Sequence, residues 1–213
     1  LDLDNRNELI INKLLTANNV INTGKLNTGE GINSGGNVIN HGELKTNGSF
    51  LILGNLNNYG ILNAGGTLST GDLVNHGSLK AVGKLFTRGN TFYNQGEILT
   101  TALDVDNTNI QNINKITVIE TARLKGNNII NQGQLSGTNI DLITSSLTNS
   151  SAIIADGIIK AQNTALNNTG YIGSNQKIIL SGSNISNQGS MESNIIELYN
   201  LSGYNNNGGN IKG

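Results

Sequence analysis

Large apolar residues recur along this chain in pairs six positions apart. Leu3 and Leu9 form one pair, followed by Val20 and Leu26, Val38 and Leu44, Leu56 and Leu62, and so on through Ile185 and Met191. Between the members of each pair, two residues after the first, stands an asparagine, and the local rule is Asn-x-Gly-x-Leu/Ile. Full copies begin at Asn22, Asn40, Asn58, Asn75, Asn94, Asn131, Asn168 and Asn187, and degenerate ones at Asn5, Asn112, Asn149 and Asn207. The leading asparagines follow one another at a nearly constant interval. In the last copy, led by Asn207, the first apolar position is broken by Asn205. A period this even from end to end is the mark of a stacked repeat.

Alternation decides what each repeat is. A strand places side chains on opposite faces with a period of two, so the first apolar residue and the asparagine share one face. The pattern predicts a short strand ending at the asparagine, a corner at x-Gly, and a second strand carrying the next Leu or Ile inward. A third apolar group closes each period: Phe50 and Ile52, Leu68, Leu85, Leu103 and Val105, Ile140 and Leu142, Ile178 and Leu180, Ile196 and Leu198. Thr46-Asn47-Gly48 and Ala64-Gly65-Gly66 sit between the second and third strands, and this corner is expected to absorb the one-residue fluctuations in period. Glycine and turn residues interrupt every stretch before three helical turns could form. The fold expected is all-β: one parallel β-helix domain over residues 1–213, of about 12 rungs with roughly 18–19 residues each. Rungs about 4.8 Å apart would make it about 55 Å long.

Composition sharpens this picture. The 213 residues include 39 Asn and 28 Gly but no Pro. Proline would break a ladder wherever it fell in a doubly paired strand, while Asn and Gly are expected to supply left-handed backbone at the corners. Charge is sparse, 13 basic against 14 acidic residues, which argues against nucleic acid as a partner. The absence of Cys excludes thiol chemistry, disulfides and thiolate metal sites. No signal peptide is visible, nor an apolar run of about 18 residues such as a membrane span needs. The chain opens in mid-rhythm at Leu1, as expected of a segment of a longer protein.

The repeated asparagine is assigned a structural role. Inward-facing amides at a corner can hydrogen-bond from rung to rung and to corner backbone, satisfying groups whose burial would otherwise cost a few kcal/mol each. Asn22, Asn40, Asn58, Asn75, Asn94, Asn131, Asn168 and Asn187 are the expected ladder.

Blocks such as Val38-Ile39-Asn40-His41-Gly42-Glu43-Leu44 and Ile129-Ile130-Asn131-Gln132-Gly133-Gln134-Leu135, with Gly71-Asp72-Leu73 opening a strand, resemble the haemagglutinin repeats of filamentous-haemagglutinin-type exoproteins. These are the TpsA partners of two-partner secretion, and the likeness covers essentially the whole chain. It implies a right-handed β-helix fibre, exported through an outer-membrane TpsB-type transporter to the bacterial surface. There it would serve as an adhesin or as the stalk of a contact-dependent growth inhibition protein. Neither that family's amino-terminal secretion domain nor a toxin domain is recognisable here. Its partner would be a protein or glycan receptor on a host or neighbouring cell.

Candidate chemistry is thin. His41 and His76 occupy the x position of the motif with Tyr59 on the rung between, too far apart to share a metal ion at His–metal distances of about 2 Å. With Tyr93, which alternates outward, they form a candidate binding ridge. Asp104 and Asp106 point outward from one strand and are expected to be solvated, with no basic cluster beside them. The Gly pairs at 35–36, 65–66 and 208–209 lack the acidic pattern of Ca²⁺-binding repeats and are expected to be corners. No His is placed to activate a Ser or Thr. No cofactor, metal or catalytic residue is therefore assigned. The rival reading, a carbohydrate-binding or carbohydrate-active β-helix enzyme, would need an acidic cluster under long loops, where this chain has short, even corners. Open strand edges at the two ends predict end-to-end association of such a segment.

Overall fold

The computed structural model describes the backbone of all 213 residues and every side chain except those of Asn163 and Thr164. The chain winds into a right-handed parallel β-solenoid of about twelve rungs. Each rung is a triangle of three sides, every side paired in parallel with the same side of the rungs before and after. Leu3–Asn5 pairs with Val20–Asn22, which pairs with Val38–Asn40. The second sides begin with Glu8–Ile11 on Lys25–Thr28, and the third with Leu14–Ala17 on Gly31–Ser34.

The core is a set of apolar columns, one residue per rung. Leu26, Leu44, Leu62 and Leu79 continue one column, and Val38, Leu56, Leu73 and Phe92 another, all buried. These are the paired apolar positions of the sequence pattern. Stacking like on like lets each layer bury its apolar face only against its neighbours, which is why a narrow core with few aromatic residues suffices.

Three expectations need correcting. The last copy of the repeat is led by Asn206, not Asn207: Ser186 pairs with Asn205, and the ladder runs one rung past Asn187 to Asn206. Tyr204, opposite Ile185, therefore takes the position that Asn205 had seemed to break, and the extra residue lies in a final corner where Gly208 has φ +80°. The motif glycines do not supply left-handed backbone, since among the described residues the only glycines with positive φ are Gly31 and Gly208. Glycine is needed because adjacent corners touch: a Cβ on Gly42 would overlap the carbonyl oxygen of Gly24. Lastly, the corner between the second and third sides does absorb one-residue steps, as between Leu79–Leu85 and Ile98–Leu103, but no more than these. The main change in period falls at the third corner, between the third side and the next rung.

That third corner divides the molecule. In the first rungs each side is a separate strand of three or four residues. Later, single strands run on around the bend, as in Ser78–Asn94, Glu97–Asn112 and Tyr171–Asn187. Thr70 and Leu73 face inward with two residues between them, whereas Thr87 and Phe92 are separated by four. The longer corner adds an inward position, filled by Gly89, Asn107, Gly126 and Thr144 on successive rungs.

Candidate functional site

The first corner carries both a buried column and an exposed one. Inside, each asparagine amide donates to the next: Asn5 to Asn22, Asn22 to Asn40, Asn40 to Asn58, and on to Asn187 and Asn206, at 2.7–2.9 Å. The same nitrogen donates to backbone carbonyls. Asn58 reaches Gly60 at 3.2 Å and Ser78 at 3.1 Å. Facing those carbonyls fixes the amide orientation, so every dipole in the column points the same way and adjacent bonds reinforce one another.

Two rungs show what the glycine contributes. Asn114 and Ser151 take its place on the rungs of Asn112 and Asn149, which stack on those of Asn94 and Asn131. There the bonds from Lys115 to Gly96 and from Ala152 to Gly133 stretch to 3.4 and 3.3 Å, against 2.7–3.0 Å at the other rungs. A side chain in this slot pushes the corner outward.

Outside, the x-position residues form a ladder of rings. His41 stacks on Tyr59 with centroids 4.7 Å apart, and Tyr59 on His76 at 5.0 Å, all nearly parallel. Tyr93 lies tilted against His76 at 5.6 Å. Gln95 closes the row, its Oε1 2.8 Å from Nδ1 of His76 and within reach of the Tyr93 hydroxyl. The four candidate residues thus form one continuous ridge. Because His41, Tyr59 and His76 turn their faces on one another, the ridge presents ring edges and polar tips outward.

The third side holds a charge lattice that the sequence reading missed. Asp104, expected to be free of basic neighbours, has Lys84 at 2.7 Å and Arg123 at 3.1 Å. Asp106 similarly has Lys125 at 3.2 Å, with Arg88 at 4.0 Å. Parallel in-register pairing explains this. Asp104 sits directly opposite Arg123, and Arg123 opposite Asp141, which in turn faces Lys160. The signal in the sequence is opposite charges one repeat apart, found by reading the chain in register with the asparagines. Burial pushes the Asp104 carboxyl up, but hydrogen bonds from Lys84 and Arg123, and their charges, outweigh it and hold it below its ordinary value. Lys84 and Arg88 also flank the Phe86 ring, at 5.5 and 5.0 Å.

A second unanticipated ladder lines the third corner of the early rungs. The Oδ1 of Asp2 accepts from the Asn19 backbone, Asn19 from Asn37, Asn37 from Asn55, and Asn55 from Asp72. Asp72 ends the series by accepting from both Asn90 and Thr91. Its trace in the sequence is an Asn or Asp three residues before each early ladder asparagine.

Among the described residues no three His, Cys, Asp or Glu gather closely enough to hold a metal ion. The surface depressions are shallow and open; one, of about 330 Å³, lies at the third corner beside Asp106, Asn107 and Lys125. No family model matches the chain, and neither a curated protein nor a solved structure does. The arrangement is a rigid, elongated scaffold suited to a structural or presenting role.

Proposed function

We propose that this chain is a length of the shaft of an exported, surface-exposed bacterial fibre of the filamentous-haemagglutinin type. It reaches the outside of the outer membrane through a TpsB-type transporter and forms part of a longer protein. The shaft holds a binding tip or toxin away from the cell, and the ridge of His41, Tyr59, His76 and Tyr93 contacts a protein or glycan on a host or neighbouring cell. The observation that carries this reading is the unbroken inner ladder, which links each rung to the next in the same way and gives the molecule reach and stiffness without an enclosed site. Nearest-neighbour stacking also suits export, because each rung can fold on the one already outside. The open first and last rungs would let isolated segments stack end to end.

The test is binding of the purified chain to intact host cells and to bacterial target cells. Saturable binding that is lost in Tyr59→Ala or His76→Ala, with unchanged circular dichroism, is the expected result for an adhesive ridge. Binding to neither cell type, or binding indifferent to both substitutions, removes the adhesive role and leaves a passive shaft.

A further inference from the structure

The three sides of the solenoid differ in charge. Beyond Asp4 and Arg6 on the first rung, none of the 13 basic and 14 acidic residues stands on the first side or in the two corner positions that follow it. The outward column of that side reads Ile21, Ile39, Asn57, Val74, Tyr93, Gln111, Ile130 and Thr148, continuing with Asn167 and Ser186. Beside it run the first-corner residues, from Thr23 through the ring stack to Gln95, Ile113 and Gln132. The second side carries alternating charge instead, as in Glu8, Lys25 and Glu43, and the third carries the Asp104–Arg123 lattice.

Exposed apolar residues do not make this distinction, since Leu51, Val82 and Ile195 lie on or beside the charged sides. What sets the first side apart is the lack of charge together with its row of rings. Interfaces have that signature: charged residues are depleted at the centre and aromatics enriched, while polarity over the whole patch is that of ordinary surface.

We infer that this charge-free side is an interaction surface whose partner is a second copy of the same chain, packed side to side. Two arguments select that occupant. A flat sheet face meets another at about 10 Å by interdigitating side chains, and a two-fold contact sets the same patch against itself. A surface without charges is then neutral toward its own copy, while the charged sides would have to be desolvated to pack against anything. The area also suffices. The three residues of the side with the corner residue beside them, over eleven stacked rungs, give about 13 by 50 Å, or about 1,300 Å² summed over both copies, within the range of stable interfaces. A neutral glycan is less well served, because stacking on a sugar requires ring faces and those of Tyr59 and its neighbours are turned on each other. The inference goes beyond the adhesive reading but shares Tyr93 and the ring ridge with it; self-association read with Val74→Lys and cell binding read with Tyr59→Ala tell the two apart.

Sedimentation equilibrium of the chain and of Val74→Lys and Ile130→Lys tests this. Both positions are outward and partly exposed, and thermal unfolding reports whether each variant still folds. A dimer whose Kd rises at least tenfold in both variants, with the melting transition unchanged and Lys80→Gln on the second side without effect, is the expected result. A strict monomer up to about 1 mM, weaker than even small specific interfaces require, overturns the inference. So does a dimer indifferent to both lysines. A monomeric chain that binds a neutral glycan, and loses it in the same variants, overturns it too and reassigns the face to sugar.

Discussion

The early and late rungs solve one problem in two ways. At a corner the backbone turns out of the sheet, and its N–H and C=O groups still need partners. Around residues 18–19, 36–37 and 54–55 the turn is tight, the strands stop, and an Asn side chain caps the next rung's backbone. From Ser78 onward the corner is wider, and the backbone itself stays in register from Arg88 to Asn94 against Asp106 to Asn112. One or two additional residues replace a side-chain ladder with a main-chain one. Asp72 is the joint between the two regimes, caught between Asn55 below and the amides of Asn90 and Thr91 above. The early half thus depends on individual side chains where the late half relies on continuous sheet.

The largest consequence concerns the inner ladder. Asn40→Leu leaves the buried Asn58 side-chain oxygen without its donor, takes one of three acceptors from the Asn22 amide, sets an apolar group against both, and removes the Asn40 bonds to the carbonyls of Gly42 and Ile61. Each buried orphan costs about 1–3 kcal/mol, so a loss of about 3–5 kcal/mol is expected in urea unfolding. Asn131→Leu should cost about 1 kcal/mol less, because its rung has continuous strands and Asn131 already makes one bond fewer. Equal losses would erase the distinction between the halves.

Next comes the corner glycine. Gly60→Ala forces a Cβ onto the Gly42 carbonyl oxygen and should destabilise by about 1–3 kcal/mol. Asn114→Ala, in a slot whose corner already stands open, should change stability by less than about 0.5 kcal/mol. Comparable effects at the two sites would mean that contact between corners does not demand glycine.

A smaller effect is expected at the joint. Asp72→Ala removes one acceptor from an exposed amide and a part-buried one, for about 1 kcal/mol, and hydrogen exchange at Asn90 and Thr91 should quicken while Lys125 and Gly126 are unchanged. Smallest is the charge lattice, partly exposed and so worth about 1 kcal/mol or less. The Asp104 carboxyl titrates below its ordinary value of 3.8. Its pairing therefore stabilises fully above that value and is lost as pH falls through the lower, folded one. Asp104→Asn should flatten the stability-versus-pH curve below about pH 4; an unchanged acid limb would remove Asp104 from the account.

Much of this was legible in the sequence because a solenoid is a one-dimensional object. The spacing of Val38, Asn40, Gly42 and Leu44 encodes strand, corner and strand directly, and each copy repeats the message. What escaped lies between rungs rather than within them. Asp104 and Arg123 stand a full rung apart along the chain and are meaningless as neighbours until the register is known. The local motif selects Asn207 as the leading asparagine of the last copy, whereas stacking on Asn187 selects Asn206 and displaces the surplus residue into the corner at Gly208. The role of glycine is hidden for the same reason: its constraint comes from the carbonyl of the rung beneath, not from its own dihedral angles.

The most direct test of the central claim, that a continuous amide ladder locks the rungs, is hydrogen exchange of the asparagine side chains by nuclear magnetic resonance. The account predicts that the Nδ2 protons of Asn40, Asn58, Asn75 and Asn94 exchange as slowly as the backbone of their strands, while those of the exposed Asn47 and Asn90 exchange at once. Exchange of all of them at the rate of exposed amides would show that the column is not hydrogen-bonded in solution, and the ladder would fall.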